Sequence, residues 1–199
     1  MQPAPDPGEA ARLDALEAYG ILDTPAEASF DQLATLAARL CGTPMAVVNF
    51  LDRDRQWFKA AVGVPFRQTD IAIALCANAL NGGREPLITA DARTHPLFAD
   101  SPLVTGEPHI RLYACVPLVT PEGFVLGTLA VLDTVPRVLA SEQIEGLRML
   151  AGQAMVLLEL RRQQRLLSDL VQERDRMHAE LLDQGETLRV AGRIARIGG

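Results

Sequence analysis

Residues Ser141–Ile197 read SEQIEGLRMLAGQAMVLLELRRQQRLLSDLVQERDRMHAELLDQGETLRVAGRIARI, and no proline interrupts them. This stretch predicts one long helix, which would measure roughly 85 Å at about 1.5 Å per residue. Positions alternately three and four apart form a mostly apolar row, the predicted seam, which a small domain cannot cover along its whole length. Its members are Leu157, Leu160, Gln164, Leu167, Val171, Arg174, His178 and Leu181. The pattern predicts a homodimer of parallel helices, a coiled coil in which the polar members favour one register.

The beginning of this helix is predicted to belong to a globular body. Ser141 is a favourable N-cap residue, and Ile144, Leu147 and Leu150 follow it at helical spacing. One face of the first turns would therefore pack on the body before the helix continues as a stalk. A single element would then connect the body to the dimer seam.

The first 140 residues predict an α+β body with an antiparallel sheet. After a Pro-rich lead-in at residues 1–8, predicted to be disordered, amphipathic helices are expected at residues 9–19 and 26–40. Paired apolar runs with turn residues between them predict two hairpins. These are residues 45–52 with 55–62, and residues 110–119 with 124–133. A short strand at residues 87–90 brings the expected number to at least five.

Three connecting stretches in the body are predicted to be something other than strand. Residues 63–70 are expected to be a loop, and residues 71–80 a short buried helix. Residues 91–109, with three prolines and Gly106, predict a long ordered loop or a set of short helical turns. Because ordered loops of this length are often functional, we expect this one to contribute to a site.

Composition excludes several classes of function. The chain has 199 residues, is 48% hydrophobic and carries a formal net charge of −6, which gives no electrostatic footprint for nucleic acid. No apolar run is long enough to span a bilayer and the polar start is no signal peptide, so we expect a cytoplasmic chain without a membrane partner. Cys41, Cys76 and Cys115 lack C-x-x-C spacing, which predicts neither disulfides nor a metal site.

Several motifs between residues 9 and 162 together resemble the GAF domain of bacterial sensor proteins, especially sensor histidine kinases. The motifs are RLDAL at 12–16, YGILDTP at 19–25, FD at 30–31, FLD at 50–52, RQWFK at 55–59, DAR at 91–93, HP at 95–96, and GTL at 127–129 with Asp133. The resemblance implies a GAF fold with a central antiparallel six-stranded sheet flanked by helices. It also implies a cavity on one face for a small molecule or chromophore, and dimerisation through the flanking helices.

The resemblance further implies how the chain is divided. Residues 9–160 would form the GAF sensory domain, residues 161–187 a coiled-coil signalling helix, and residues 188–199 the start of a PAS-like domain. The expectation is a fragment of a longer signalling protein, with downstream PAS and kinase domains as partners in the same chain.

Two departures from the family pattern concern the cavity. Related sequences tend to have Ser-Phe-Cys-Ala-His-Ala where this chain has ALCANA at 74–79, so Asn78 stands where a histidine could contact a ligand. They usually have glycine at the position of Cys115. Neither the cyclic-nucleotide pattern nor a bilin-attaching cysteine is recognisable, so the ligand and any cofactor are unknown at this stage.

The candidate ligand-binding residues are Trp57, Cys76, Asn78, Asp91, Arg93, Arg111, Tyr113 and Cys115. The two cysteines could sense oxidants or attach a ligand, although buried cysteine is more often a small apolar packing residue. Trp57 would stack on a ligand, anchor the sheet or lie on the dimer face. The arginines and Tyr113 would orient a polar ligand, unless an internal Asp–Arg pair only ties the long loop to the sheet.

Other charged residues are interpreted as structural. Asp52, Asp54, Arg55 and Lys59 surround the first hairpin and are interpreted as solvated turn charges. His178 lies on the predicted dimeric helix, as a kinase phosphoacceptor would, but it lacks the flanking residues of that motif and is assigned to the seam. No catalytic motif is recognised, so no catalytic residue is predicted.

Three hypotheses about function follow. The first is a sensory module that passes a change induced by a ligand or partner through a dimeric helix to an output domain. The second is an enzyme that reduces free methionine sulfoxide, as some GAF domains do, with Cys76 and Cys115 as nucleophile and resolving thiol. The third is a domain without ligand that only dimerises.

Overall fold

The computed structural model describes the backbone of residues 7–77 and 83–197 and the side chains of residues 8–77 and 83–181. Within this part, six strands form one antiparallel sheet in the order β3-β2-β1-β6-β5-β4. The strands are β1 (Met45–Leu51), β2 (Arg55–Val62), β3 (Gln68–Asp70), β4 (Leu87–Thr89), β5 (Leu112–Val119) and β6 (Val125–Asp133). The α+β class and the six-stranded antiparallel sheet expected from the sequence are confirmed.

The described helices are α1 (Pro7–Tyr19), α2 (Ala28–Cys41), α3 (Pro102–Thr105) and α4 (Ser141–Ile197). Helix α1 begins two residues earlier than expected, because proline fits the first turn of a helix. The long loop contains α3 and a 3-10 turn at Ala92–Thr94, as the sequence predicts.

Of the helix expected at residues 71–80, the structure describes residues 71–77, where Ile71–Ile73 form a 3-10 turn and Ala77 is helical. The Asp70 side chain accepts a hydrogen bond from the backbone nitrogen of Ala72 and so caps this turn. Ala74 is extended, which ends the turn after one round.

Strand β3 occupies a stretch that the sequence predicts as loop, and that prediction is wrong. Arg55 pairs with Asp70, Gln56 with Thr69 and Trp57 with Gln68 along the edge of the sheet. The strand consists of three polar residues and has no apolar alternation, so only its pairing with β2 shows that it is a strand.

Helices cover one face of the sheet. Strand β1 is buried throughout, and alternate residues such as Val48 and Phe50 belong to the core beneath the helices. Phe30 of α2 packs in this core, as do Leu147 and Leu158 from the first turns of α4. The helical layer therefore covers this face and leaves the opposite face for another layer.

The chain divides into two compact units, Met1–Glu159 and Leu160–Gly199. In the second unit α4 continues, and every residue from 163 to 181 is exposed. None of the described helices is both long and apolar enough to cross a membrane. A PAS-like domain starting near residue 188 stays a prediction.

Candidate functional site

A cavity of about 290 Å³ lies on the face of the sheet opposite the helices. Its floor consists of side chains from five strands, among them Met45 and Phe58. Its walls come from the segment after β2 and from the long loop, including Phe66 and Leu103. Loops held on a rigid sheet thus enclose a mainly apolar space large enough for a small organic molecule.

The alternation of side chains along β2 decides which residues reach the cavity. Gln56 and Phe58 line it, whereas Trp57 belongs to the core beneath the helices and packs against Phe50 with ring centroids 6.4 Å apart. Successive residues of a strand point to opposite faces. Trp57 is therefore a sheet anchor, and it makes no contribution to this cavity.

The polar groups of the cavity are few. Gln56 accepts a hydrogen bond of 3.1 Å from the Thr69 hydroxyl, and Glu107 is the single charged residue of the lining among the described side chains. The Glu107 side chain is 91% exposed, which places its charge at the rim in water. No arginine or lysine in the described part of the chain lines the cavity.

Tyr113 lines the cavity and carries a buried hydroxyl. Its hydroxyl is buried and makes no well-formed hydrogen bond, although Cys115 and Thr128 lie close enough to influence its pKa. Burial raises the pKa of Tyr113 well above its usual value, so the hydroxyl remains protonated and able to donate. Because a buried polar group without a well-formed hydrogen bond is costly, a ligand that accepted one from this hydroxyl would be favoured.

A family model named GAF domain matches residues 25–158, which is most of the chain and contains all six strands. The chain belongs to the GAF domain family. Solved structures with low sequence identity to this chain have the same fold. At such identity they support the fold and no particular function.

Two of those structures illustrate the likeness. The GAF domain of an Acinetobacter phosphoenolpyruvate-protein phosphotransferase is 18% identical with a TM-score of 0.56, over 78% of this chain and 95% of that chain. A free methionine-R-sulfoxide reductase from Neisseria meningitidis, solved with its substrate, is 16% identical with a TM-score of 0.55, over 82% of this chain and 97% of that chain.

A nearer relative in sequence is a cyclic di-GMP phosphodiesterase from Pseudomonas aeruginosa. It is 40% identical over 129 residues, which are 65% of this chain. The match covers 22% of the relative, so the chain spans about a fifth of that protein's length.

The two candidate cysteines of the GAF domain are both buried, and Cys76 lines the cavity. Burial raises the pKa of the Cys115 thiol to about 11. Burial, followed by the nearby Cys115, raises the pKa of Cys76 well above its usual value. A thiol must lose its proton to act as a nucleophile, so neither side chain is activated at neutral pH.

The raised pKa of Cys115 predicts a loss of stability at alkaline pH. The folded thiol keeps its proton until about pH 11, whereas the unfolded thiol loses it near its ordinary pKa of about 8.5. The stabilising contribution is complete below that ordinary pKa and is lost as pH rises toward 11. Between pH 8.5 and 10, wild type should lose about 1–2 kcal/mol more of its free energy of unfolding than Cys115→Ala. Urea unfolding under reducing conditions measures this difference, and parallel pH profiles would contradict it.

The charged candidates of the long loop lie outside the cavity. Arg93 pairs with Asp91 at 2.6 Å, and this hydrogen bond lowers the pKa of the Asp91 carboxyl. Arg111 donates to the backbone oxygens of Val104 and Ile110, at 2.9 Å each. The loop is therefore tied to the sheet through Arg111, while the Asp91–Arg93 pair is local to the turn that Asp91 caps. Asn78, the remaining candidate, lies outside the described residues.

The interpretation of Lys59 as a solvated turn charge is wrong. Lys59 is 1% exposed, and its ammonium donates to the Thr24 hydroxyl, the Pro25 carbonyl and the Glu27 carboxylate at 2.8, 2.6 and 2.6 Å. It thereby fixes the segment between α1 and α2 onto β2. Only the folded structure brings the YGILDTP segment beside RQWFK, so the sequence alone could not reveal that Lys59 is buried.

Arg55 binds the same segment from the same strand. Its guanidinium contacts the Asp23 carboxylate at 2.6 Å and the Asp52 carboxylate at 3.0 Å. The hydrogen bond from Arg55 lowers the pKa of Asp23. Because these groups are only partly buried, the pairs contribute less than the contacts of Lys59.

Among the described residues, no group of three or more His, Cys, Asp or Glu side chains could hold a metal ion. Among the described lining residues, those with polar side chains are Tyr113, Gln56, Thr69, Cys76 and Glu107.

Proposed function

We propose that this chain is a regulatory GAF module that binds a small molecule in the cavity beside Tyr113 and passes the change to an output domain. The observation that carries the proposal is that Tyr113 lines an apolar cavity while its buried hydroxyl makes no well-formed hydrogen bond to the described residues. A ligand that accepts its hydrogen bond would remove the cost of leaving that group unpaired.

The chemistry of the lining favours a ligand that is mainly apolar and carries no negative charge. An anion inside the cavity would lose water without gaining a cationic partner from the described lining, which is costly. A compact apolar molecule with one acceptor near Tyr113 and a polar edge near Gln56 and Thr69 fits better. A nucleotide phosphate is disfavoured by the same argument.

Replacing Tyr113 with phenylalanine tests the ligand site. We expect roughly tenfold weaker retention of the ligand, because one hydrogen bond to a buried partner is lost. The ligand-free variant should be as stable as wild type or slightly more stable, since the unpaired hydroxyl is gone. Native mass spectrometry of freshly purified protein measures retention, and chemical denaturation after ligand removal measures stability.

Arg93→Ala is the matched control, because Arg93 is exposed and outside the cavity. It should retain the ligand like wild type. If Arg93→Ala loses the ligand and Tyr113→Phe keeps it, the site is at the loop. If wild type carries no small molecule, the third hypothesis, a dimerisation module without ligand, replaces the sensory one.

Methionine sulfoxide reduction is the weaker candidate. The fold is shared with a reductase, but both Cys76 and Cys115 are buried with raised pKa values, which disfavours a thiolate nucleophile. Turnover of free methionine sulfoxide that disappears in Cys76→Ser would favour the enzyme over the regulatory module.

The output is proposed to be a domain elsewhere in the same protein. The sequence motifs favour a sensor histidine kinase, reached through a PAS-like domain, whereas the 40% identical relative favours a cyclic di-GMP phosphodiesterase. Hydrolysis of cyclic di-GMP by the protein that contains this module would support the second output, and autophosphorylation from ATP the first.

The signal is proposed to pass through a homodimer formed by α4. Exposed apolar residues continue along the second unit, including Leu160, Leu167 and Leu181 at 50%, 63% and 66% exposure. A helix exposed on every side gains little stability by itself, and packing of an apolar face on a second copy would supply it. Light scattering gives the oligomeric state, and a monomer at micromolar concentration would contradict the dimer.

A further inference from the structure

Two alternative sets of side chains on α4 have the right spacing to form the buried centre of the proposed dimer. Both include the shared row, which is Leu160, Leu167, Arg174 and Leu181. The histidine row, predicted from the sequence pattern, adds Gln164, Val171 and His178. The methionine row, one position earlier, adds Gln163, Leu170 and Met177. Either combination has the spacing of three and four residues that a two-stranded coiled coil requires.

We infer that the methionine row, and not the histidine row, lies with the shared row at the buried centre of a parallel dimer with a second copy of this chain. The inference rests on the dimer proposed above and specifies its contact surface. Leu170 and Met177 are 68% and 51% exposed in the single chain, so both leave substantial apolar area for a partner to cover. Val171 is 39% exposed, and His178 is polar.

The residues beside each seam also distinguish the two registers. In a parallel pair, the position just before each a residue faces the position after the next d residue of the partner. With the methionine row central, Leu166 faces the partner's Val171, and Glu173 faces the partner's His178. An apolar side chain then meets an apolar one, and a carboxylate meets an imidazole that can donate to it.

With the histidine row central, the flanking pair at Leu170 matches poorly. Leu170 would face the partner's Asp175, which places an apolar side chain against a carboxylate. Leu166, which is 54% exposed, would point away from the seam. The methionine row instead places Leu166 at the seam and Asp175 at an outer position.

The body unit gives an independent argument from the same heptad spacing. Leu157, seven residues before Gln164, is partly buried against the core of its own body. Val156 and Met149, seven and fourteen residues before Gln163, are 57% and 65% exposed. The histidine row thus begins with a residue already used inside the body, whereas the methionine row begins with residues that are exposed.

Single-cysteine variants test the register. Residues 163 and 164 differ by about 100° around a helix, and a disulfide needs Cα atoms closer than about 7 Å. Under mild oxidation of the dimer, Leu170→Cys and Met177→Cys should crosslink roughly tenfold faster than Val171→Cys and His178→Cys. Leu167→Cys belongs to the shared row and should crosslink in either register. Wild type is the background control, because its three cysteines are buried.

The outcomes separate this inference from the proposed dimer. Faster crosslinking of Val171→Cys and His178→Cys, or equal rates at all four positions, would overturn the methionine-row seam and leave the dimer intact. A dimer by light scattering in which Leu167→Cys fails to crosslink would overturn the parallel arrangement. A monomer would overturn both the proposed dimer and its seam.

Discussion

Lys59→Met should lower the free energy of unfolding by about 3 kcal/mol, because it removes the cation of a buried charged network together with its three hydrogen bonds. The Lys59 ammonium donates three hydrogen bonds within 2.8 Å, and methionine can make none of them. The Glu27 side chain is 33% exposed and can regain water, so its share of the loss is smaller than those of Thr24 and Pro25. For a domain of this size the change corresponds to a fall in Tm of roughly 10 °C.

Denaturant unfolding of the purified variant measures this loss, with Arg53→Ala as the control. Arg53 lies on the same hairpin and is exposed, so its replacement should change stability by less than about 0.5 kcal/mol. If Lys59→Met unfolds at the wild-type denaturant concentration, the three hydrogen bonds are not what fixes the segment before α2. A Lys59→Met variant that remains folded but loses ligand would instead show that the segment affects the cavity through β2.

The local pattern of the sequence was sufficient for most of the sheet. The apolar runs of β1, β2, β5 and β6 and the turn residues between them predict both hairpins, because hydrophobic alternation is a local signal. Strand β3 has no such signal, since Gln68, Thr69 and Asp70 are polar and form a strand only by pairing with β2. Its existence depends on contacts between distant residues, which neither propensity nor periodicity contains.

The candidate site was predicted less well than the fold, for a related reason. Tyr113 and Cys76 reach the cavity, whereas Trp57 and Arg93 do not. The alternation of side chains along β2 places Trp57 and Phe58 on opposite faces of the sheet. The sequence does not say which of these faces the helices cover. Lys59 shows the same limit, because its burial depends on residues 32–35 positions earlier in the chain.

Gly127→Ala should destabilise the protein by about 3 kcal/mol or more, because β1 and β6 pack too closely here for a side chain. A Cβ at Gly127 would lie 1.9 Å from the Asn49 carbonyl oxygen and 2.8 Å from the Phe50 Cα. Both obstacles are backbone atoms of the central strand, so neither can move aside as a flexible side chain would. The β1–β6 pair also carries Met45, Val47, Ala130 and Leu132, which line the cavity, and separation of these strands should therefore reduce ligand retention as well.

Gly152→Ala is the matched control, since the same substitution is made where nothing lies within 4 Å of the added Cβ. Gly152 lies within α4, and alanine should stabilise this helix by about 0.5–1 kcal/mol because it loses less backbone freedom on folding. Denaturant unfolding of both variants should thus give changes of opposite sign. A Gly127→Ala protein as stable as wild type would mean that β1 and β6 can separate without cost, and the floor of the cavity would not be the rigid surface on which the proposed ligand site depends.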